Sequence, residues 1–428
     1  MNTIEAVYQV FNKSQKISID SRHIEEGSIF VALKGENFDA HQFVQSTIDR
    51  GAVLAIIDNP DFRIEGKTIL VEDSLQFLQQ LANYHRRHFQ FPIIAITGTN
   101  GKTTTKELCL SVLNQEFKVK ATQGNLNNHI GVPLSLLSFP LDLDFGIIEM
   151  GANHPGEISF LCSIAEPDYG LITNVGKAHL EGFGNLAGVL KTKTELYAFL
   201  QNTNAKAFVN QDNTILSKHP LLPTPIFYGR ESQALVQGSI ESNKPYLSVR
   251  VKSKNEEILI HSHLIGAYNL ENILAASCIG SYFGLSLPRI RSGIESYKPQ
   301  NIRSQFIEKE HNKIILDAYN ANPTSMKAAI ENFASLEENN KLVILGDMLE
   351  LGTDSQKEHQ KIIDLLTKLE INTILTGKEF QRTQHPFRHF KQTTDIIRYL
   401  TENPIQNHLI LIKASRGIHL EDVLDSIQ

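Results

Sequence analysis

The chain has only three cysteines in 428 residues, and they are isolated from one another. Cys109, Cys162 and Cys278 form neither a Cys-X-X-Cys pair nor the spacing of a zinc site. Cysteine usage of this kind is typical of a protein that works in a reducing compartment.

Long apolar runs and an excess of one charge are missing as well. No apolar stretch approaches the ~18 residues that a transmembrane helix needs, and the first residues lack the basic and then apolar segments of a signal peptide. The formal net charge of −6 offers no basic surface for nucleic acid or for an anionic membrane. We therefore expect a soluble, cytoplasmic protein with no nucleic-acid partner and no membrane span.

Length and composition indicate several α/β domains. With 41% hydrophobic residues the chain can form real cores, and at about 150 residues per domain it has room for two to four. Three segments differ in their patterns of motifs, helices and strands. They are residues 1–88, 89–297 and 298–428, with a linker expected at 298–301. Short strands alternate with helices in each, which predicts an α/β fold. Among these helices we expect one at residues 74–88, with Ser74 as its N-cap, and an amphipathic one at residues 324–336. The middle segment should form a mostly parallel sheet with a small antiparallel addition between residues 234 and 263.

The most informative motif is a glycine-rich turn that follows the apolar residues 91–96. It reads Thr97-Gly98-Thr99-Asn100-Gly101-Lys102-Thr103-Thr104. A strand, a glycine turn and a Lys-Thr pair at a helix start predict a phosphate cradle, in which Lys102 neutralises the outer phosphates and Thr103 offers a hydroxyl to Mg²⁺. Ile96 stands where the first glycine of the standard loop would fall, so a purely structural turn is the alternative.

Polar residues close two further strands of the middle segment. Glu149 ends residues 144–149 and Asn174 ends residues 168–174, and doubly wound sheets present functional groups at these strand ends. Glu149 fits a Mg²⁺ ligand, with a helix-capping carboxylate as the alternative. His179 follows in a glycine-rich loop, where a core histidine is less expected, although nitrogen is an unusual Mg²⁺ ligand.

Two other stretches of the middle segment carry signals of different strength. Lys193 lies in residues 191–195, which by pattern alone form an exposed basic helix face. Residues 122–133 place Asn125, Asn127 and Asn128 in a non-helical loop that suits polar recognition of phosphate and sugar.

The outer segments offer candidate residues too. In the last segment, residues 317–323, 346–352 and 413–417 follow strands and carry polar groups, which predicts a nucleotide clamped between two domains. In the first segment, Ser21, Arg22 and Lys34 could hold an anionic or sugar-like ligand, although solvated turns are the simpler interpretation. His261 and His263 share a strand face, where a solvent-facing pair is favoured over a metal site.

Taken together, these motifs resemble those of the Mur ligases of peptidoglycan synthesis. The resemblance runs along the whole chain, through Asp20-Ser21-Arg22, Gly98-Thr99-Asn100-Gly101-Lys102-Thr103, Gly124-Asn125-Leu126-Asn127-Asn128, Glu149-Met150-Gly151-Ala152, Thr173-Asn174-Val175-Gly176, Ala178-His179-Leu180-Glu181 and Gly346-Asp347-Met348-Leu349-Glu350-Leu351-Gly352. It implies a precursor-binding α/β domain at residues 1–88, a central P-loop-type ATPase at 89–297 and a C-terminal Rossmann-like ligase domain at 298–428. A monomer is expected.

Within the family, the resemblance implies the reaction in which ATP drives the joining of D-alanyl-D-alanine to the carboxylate of UDP-MurNAc-tripeptide. The carboxylate would be activated as an acyl phosphate, and the products would be UDP-MurNAc-pentapeptide, ADP and phosphate.

The resemblance also assigns roles to individual residues. Lys102 would bind the β- and γ-phosphates, Thr103 one Mg²⁺, and Glu149 and His179 a second Mg²⁺. Lys193 matches the lysine that family members convert to a metal-bridging carbamate, so Lys102, His179 and Lys193 are the expected catalytic residues. The nucleotide site would be completed by Gly98, Thr99, Asn100, Gly101, Thr104, Asn269, Asn272, Arg303, Asp317 and Asn320. The precursor would bind Ser21, Arg22, Lys34, Asn125, Asn127 and Asn128.

Two departures and three alternatives remain open. Tyr268 stands where many members carry histidine, and Ala40 replaces a frequent glycine. A sibling ligase that adds the third residue of the peptide should show an Asp-Asn-Pro-Arg motif, which is absent. Folylpolyglutamate synthase lacks an N-terminal domain like residues 1–88. A P-loop switch protein would leave His179, Lys193 and residues 317–322 without a role.

Overall fold

Each of the three segments is built around its own β-sheet in the computed structural model, which describes residues 3–231, 233–300 and 302–427. We call them the N-terminal, central and C-terminal domains. Residues 297–300 form neither helix nor strand, as a linker would, while Asn301 of the expected linker lies outside the described residues.

A four-stranded parallel sheet in the order β1-β2-β3-β4 organises the N-terminal domain. Its elements are α1 (Thr3–Ser14), β1 (Ile17–Ser18), β2 (Ile29–Val31), α2 (Val44–Asp49), β3 (Leu54–Ile57), β4 (Thr68–Leu70) and α3 (Ser74–Arg86), with short 3₁₀ helices at Ala40–Phe43 and Pro60–Phe62. Our expectation that Ser74 caps α3 is wrong. Asp73 is the N-cap, because its extended backbone lets its carboxylate accept from the Gln76 N–H at 2.8 Å.

The central domain contains a nine-stranded sheet in the order β13-β12-β11-β10-β9-β8-β5-β7-β6. Its elements are β5 (Ile93–Thr97), α4 (Lys102–Leu113), β6 (Val119–Ala121), α5 (Gly131–Leu137), β7 (Phe145–Glu149), α6 (Glu157–Ala165), β8 (Tyr169–Ile172), α7 (Leu180–Phe183), α8 (Leu186–Lys193), α9 (Glu195–Asn202), β9 (Lys206–Asn210), α10 (Thr214–Ser217), β10 (Thr224–Gly229), β11 (Val236–Asn243), β12 (Tyr246–Ser253), β13 (Glu256–Ile265), α11 (Asn269–Tyr282) and α12 (Leu287–Ser296). Strands β5 to β11 run parallel to one another in the sheet. Strands β11, β12 and β13 pair antiparallel and form the expected addition.

Strand β5 lies in the middle of this sheet, between β7 and β8. Because side chains alternate along a strand, Ile94 and Ile96 enter one core with α4 and α11, while Ile93 and Ala95 enter the opposite core with α5 and α6. Burial on both faces explains the continuous apolar run of residues 91–96. The phosphate loop therefore leaves the sheet at its centre.

The C-terminal domain has a six-stranded sheet in the order β14-β15-β19-β16-β17-β18, parallel except for β14 against β15. Its elements are β14 (Gln305–Lys309), β15 (Asn312–Asp317), α13 (Pro323–Ser335), β16 (Lys341–Gly346), α14 (Ser355–Lys368), β17 (Asn372–Thr376), α15 (Lys378–Gln381), β18 (Arg388–Phe390), α16 (Thr393–Glu402) and β19 (Leu409–Lys413), with 3₁₀ helices at Gly352–Asp354, Arg416–Ile418 and Leu420–Ser426. The edge strands β14 and β18 were not expected from the sequence. Across the described residues, every helix is too short or too polar to cross a membrane.

Candidate active site

A cleft of about 670 Å³ separates the central domain from the C-terminal domain. The central side of the cleft consists of the phosphate loop, the asparagine-rich loop (residues 124–130, which precede α5), the ends of β7 and β8 and the start of α11. The other side consists of residues that follow the linker and the C-terminal strands, among them Arg303, Asp317, Asn320, Asn322 and Lys413. The strand ends singled out in the sequence thus meet at one place.

The phosphate loop needs glycine at two positions. Gly98 has φ +142°, and a Cβ there would lie 2.0 Å from Thr173 Oγ1. Gly101 caps α4 with φ +78°, and a Cβ there would lie 2.7 Å from Asn272 Oδ1. Ile96 is buried inside β5, so the loop begins only at Gly98 and is shorter than the standard one.

The backbone of the loop is braced by the end of β8. Asn174 Oδ1 accepts from the Asn100 N–H at 3.0 Å, and Asn174 Nδ2 donates to the Asn100 carbonyl at 3.0 Å. Lys102 folds over the loop, with Nζ donating to Gly98 O at 2.8 Å and to Thr99 O at 3.1 Å. Desolvation lowers the pKa of Lys102, and nearby Glu149 partly opposes that shift. The loop is therefore held ready for an anion, and Thr103 and Thr104 line the cleft beside it.

Glu149 is a buried carboxylate, and one of its two oxygens has no hydrogen-bond partner. Asn127 Nδ2 donates to its Oε1 at 2.7 Å, whereas Oε2 is buried and has no hydrogen-bond partner. The capping alternative is not observed, because the next helix, α6, has Gly156 as its N-cap. A buried carboxylate oxygen without a partner is costly. A hard cation such as Mg²⁺ would satisfy it.

His179 lines the same cleft and contacts the C-terminal domain. Its backbone is left-handed, with φ +49°, at the start of α7. Its Nδ1 lies 2.5 Å from Glu350 Oε2, a close contact that is not aligned as a hydrogen bond. No three His, Cys, Asp or Glu side chains converge as a metal site within the described ranges. A metal held by Glu149 and His179 would thus need ligands of another kind, such as a hydroxyl, phosphate oxygens or a carbamate.

Lys193 is not on an exposed basic face, so that interpretation of the pattern is wrong. As the last residue of α8 its side chain is only 2% exposed, and Nζ lies 5.6 Å from the centre of the Phe183 ring. Desolvation, and to a smaller extent the charge of Lys102, lowers the pKa of Lys193 to about 7. Lys193 is not among the residues that line the cleft, but it is within electrostatic reach of Lys102 and Glu157, which do line it.

The C-terminal domain contributes a connected polar group. Lys413 Nζ pairs with Asp317 Oδ2 at 2.6 Å, and the Arg303 guanidinium lies 3.6 Å from the centre of the Tyr319 ring. Asn322 Nδ2 donates to Asn100 Oδ1 of the phosphate loop at 2.7 Å. The sequence pattern assigned Tyr319, Asn322 and Lys413 no individual role, although Lys413 ends a strand and the other two follow one.

The residues expected near the adenine are already bonded to each other. Asn272 Nδ2 donates to Asn269 Oδ1 at 2.7 Å, and Asn272 Oδ1 accepts from Thr105 at 3.0 Å. Both asparagines line the cleft, as does Tyr268, whose hydroxyl lies 3.2 Å from Ser304 Oγ. This contact joins the central domain to the C-terminal domain. The side chain of a histidine at position 268 would be shorter than that of Tyr268.

The expected precursor residues fall into two groups. Asn125, Asn127 and Asn128 line the cleft. Among the described residues, Ser21, Arg22 and Lys34 do not contribute to it, and Arg22 is 81% exposed in its side chain. Its guanidinium makes two bonds to Asp20, which hold the pKa of that carboxyl well below its usual range. Position 40 does not require glycine, because Ala40 begins a 3₁₀ helix and its backbone φ is not positive.

These features define a three-domain α/β protein with a phosphate-binding cleft between two of its domains. Family models match the chain in three places: the Mur ligase family catalytic domain at residues 13–86, the Mur ligase middle domain at 96–280 and the Mur ligase glutamate ligase domain at 302–416.

Whole proteins of this kind are similar to the chain over nearly its full length. The UDP-N-acetylmuramoyl-tripeptide–D-alanyl-D-alanine ligase of Bacillus subtilis is 32% identical, over 96% of this chain and 92% of the relative. The crystal structure of MurF from Acinetobacter baumannii superposes with a TM-score of 0.87 at 30% identity, over 98% of both chains. MurF from Thermotoga maritima in complex with ADP gives 0.86 at 27% identity, over 100% of this chain and 98% of the other. The chain belongs to the Mur ligase family.

Proposed function

We propose that this protein is an ATP-dependent ligase that joins D-alanyl-D-alanine to UDP-MurNAc-tripeptide in the cytoplasm during peptidoglycan precursor synthesis. The full-length similarity to ligases of that name supports the substrate pair. The observation that carries the chemistry is that the phosphate loop and Glu149, whose Oε2 is buried and unpaired, line the same cleft. Residues 1–88 would bind the precursor, 89–297 the ATP, and 298–428 would close over both as a monomer.

The phosphate loop would hold the ATP phosphates. Backbone N–H groups at the start of α4 face the anion, and Lys102 would turn from the loop carbonyls toward the β- and γ-phosphates when they bind. Arg303 and Asn322 lie on the opposite wall of the cleft. The precursor carboxylate would attack the γ-phosphorus, giving an acyl phosphate and ADP, a reaction that depends mainly on positioning and electrostatics.

The site residues fit magnesium. Thr103 would hold one ion beside the phosphates, and Glu149, His179 and a carbamate on Lys193 would hold the second. Bound there, the ions would neutralise charge on the transferred phosphoryl group. The free oxygen of Glu149 is the feature of this chain that such an ion would satisfy.

The surroundings of Lys193 favour the carbamate. A buried amine whose pKa is lowered to about 7 is neutral in a substantial fraction of molecules near physiological pH. A neutral amine can attack the carbon of CO₂, forming an N–C bond and releasing one proton. The resulting anion would be within electrostatic reach of Lys102, with which it would interact favourably.

The second half-reaction needs a water-free cleft. The neutral amine of D-alanyl-D-alanine would attack the acyl carbon, and the tetrahedral intermediate would expel phosphate. Contacts between the central and C-terminal domains, such as Asn100 with Asn322, enclose the cleft and would limit hydrolysis of the acyl phosphate.

The direct test is ligation with purified protein. We expect UDP-MurNAc-pentapeptide, ADP and phosphate only when ATP, UDP-MurNAc-tripeptide and D-alanyl-D-alanine are all present. Nucleotide hydrolysis without either acceptor would instead support a P-loop switch. Addition of a different amino acid in place of the dipeptide would support a sibling ligase.

Lys193 provides a matched pair of variants. Lys193→Ala should nearly abolish ligation, and bicarbonate should not restore it, because no amine remains to be carbamylated. Lys191→Ala, which changes an exposed lysine two residues earlier on the same helix, should behave like the parent. Near-parental turnover of Lys193→Ala would refute the carbamate.

A further inference from the structure

The loop of residues 346–352, which follows β16, has no role in the reaction described above. Its Glu350 reaches across the domain boundary to His179, with 2.5 Å between Oε2 and Nδ1. Both residues have a left-handed backbone, with φ +63° for Glu350 and φ +49° for His179. Left-handed conformations are uncommon for residues other than glycine, and they cluster where the surrounding structure imposes a particular geometry.

We propose that Glu350 is a positioning residue for His179, supplied by the C-terminal domain, so that the Mg²⁺ site of the central domain is complete only when the two domains are closed. The inference rests on the proposed function, in which His179 is a metal ligand. A carboxylate 2.5 Å from Nδ1 could accept the Nδ1–H once the two groups align, and this would leave the other ring nitrogen, Nε2, free to ligate the metal, as carboxylates commonly do for ligating histidines.

The loop that carries Glu350 is held rigidly by its own domain. Asp347 is buried and accepts from the Glu379 N–H at 2.9 Å and from the Phe380 N–H at 3.0 Å. The Met348 N–H donates to His359 Nε2 at 3.0 Å, and the Leu349 N–H donates to Ser415 Oγ at 2.9 Å. Glu350 therefore moves with the C-terminal domain as a whole, not as a free surface side chain.

The segment that carries His179 has C-terminal partners on both sides. Before it, the Lys177 N–H donates to Thr324 Oγ1 at 3.1 Å, and Lys177 Nζ pairs with Glu358 at 2.8 Å. After it, the Glu181 N–H donates to the Glu350 carbonyl at 3.3 Å. Since both flanks of His179 are bound by the opposite domain, separation of the domains would release the imidazole.

The test measures metal binding directly. Binding of Mn²⁺ to the protein saturated with ADP is followed by electron paramagnetic resonance in the parent, Glu350→Ala, Glu350→Gln and the control Glu358→Ala. Glu350→Ala should weaken one Mn²⁺ site about 10- to 100-fold, as losses of such partner carboxylates do. Glu350→Gln keeps an oxygen that can accept from Nδ1–H and should restore part of the affinity. Glu358→Ala removes an interdomain pair that does not touch His179 itself, so it should weaken Mn²⁺ binding a few-fold at most, much less than Glu350→Ala does.

Two results would overturn the inference. Parental Mn²⁺ affinity in Glu350→Ala would show that Glu350 does not position the ligand. Equal weakening in Glu350→Ala and Glu358→Ala would show that any loss of domain contact has the same effect. The proposed metal role of His179 fails separately, if His179→Ala binds Mn²⁺ as the parent does.

Discussion

The central domain has two interfaces of different character. Toward the N-terminal domain, helix α3 presents Arg86 and His85, which are buried and hydrogen-bonded to the central domain. Toward the C-terminal domain, the polar contacts pair side chains at the edges of the 670 Å³ cleft, and several of these side chains remain partly exposed.

Arg86 illustrates the first interface. It is 8% exposed, its Nε donates to Ala165 O at 2.8 Å, and its Nη2 donates to Glu166 O at 2.7 Å and to Asp168 Oδ2 at 2.8 Å. His85 Nε2 bonds to Phe139 O at 2.8 Å. Such groups cannot leave their partners without large desolvation costs, so this interface holds one arrangement.

The second interface can open at lower cost. Lys177, which pairs with the buried Glu358, is itself 40% exposed in its side chain, so its ammonium stays partly in water and this pair is screened more than a fully buried one. Substrates must enter the cleft and products must leave it, so this is the interface that a ligase has to open. The comparison indicates a fixed N-terminal platform and a movable C-terminal domain.

The largest expected effect is the loss of the buried arginine. Arg86→Ala should lower the free energy of unfolding by about 2–4 kcal/mol, because it leaves the Ala165 and Glu166 carbonyls without their donor and leaves Asp168 with only the Ile93 N–H. Arg87→Ala, whose side chain is 65% exposed and pairs with Glu166, should cost less than about 1 kcal/mol. Urea unfolding of both variants measures the difference. Similar losses in the two would contradict a rigid first interface.

A second prediction concerns the contact between Asn322 and the phosphate loop. Asn322→Asp keeps an oxygen for the Ser325 N–H, and hence the cap of α13, but loses the donor to Asn100 and adds a charge that repels phosphate. The KM for ATP should rise about tenfold, the equivalent of one hydrogen bond, while the melting temperature stays nearly constant. Asn322→Ser, which keeps the cap without the charge, should show a smaller rise. An unchanged KM in both variants would rule out a role for this contact in nucleotide binding.

The two lysines that share Glu358 sharpen the comparison further. Lys177 reaches its Oε1 from the central domain at 2.8 Å, and Lys361 from the same helix at 2.7 Å. Lys177→Met should lower kcat a few-fold by weakening domain closure, whereas Lys361→Met should leave it unchanged. Steady-state kinetics at saturating substrates measure kcat for both variants and distinguish these outcomes. Equal effects would mean that the pair stabilises the helix and not the interface.

The smallest expected effect is a pH dependence of the first interface. Burial lowers the pKa of His85 below its usual value near 6.5. The unfolded chain therefore takes up a proton first as the pH falls, so the stability from neutral His85 is complete above about pH 6.5 and decreases below it. Urea unfolding at about pH 7.5 and 5.5 should show a smaller loss in His85→Gln than in the parent. An identical loss would assign the effect to other groups, such as the buried His359 of the C-terminal domain.

Local patterns predicted the elements well where one physical signal dominated. The apolar run before Gly98 is β5, because a central parallel strand is buried on both faces, and the helix expected at residues 324–336 is α13 at Pro323–Ser335. Ser74 was misjudged as a cap because Asp73 competes for the same role one residue earlier. The edge strands β14 and β18 were missed, since their pairing partners are set by the sheet and not by their own residues.

The sequence by itself determined the phosphate loop, the α/β class and the polar strand ends, because glycine spacing and apolar periodicity act over a few neighbouring residues. Only the tertiary structure decided which groups are buried and which pair across domains. The local sequence pattern predicts that Lys193 is exposed, yet packing beside Phe183 buries its side chain and lowers its pKa. Asn100 meets Asn322, and His179 meets Glu350, because folding brings together residues that are far apart along the chain.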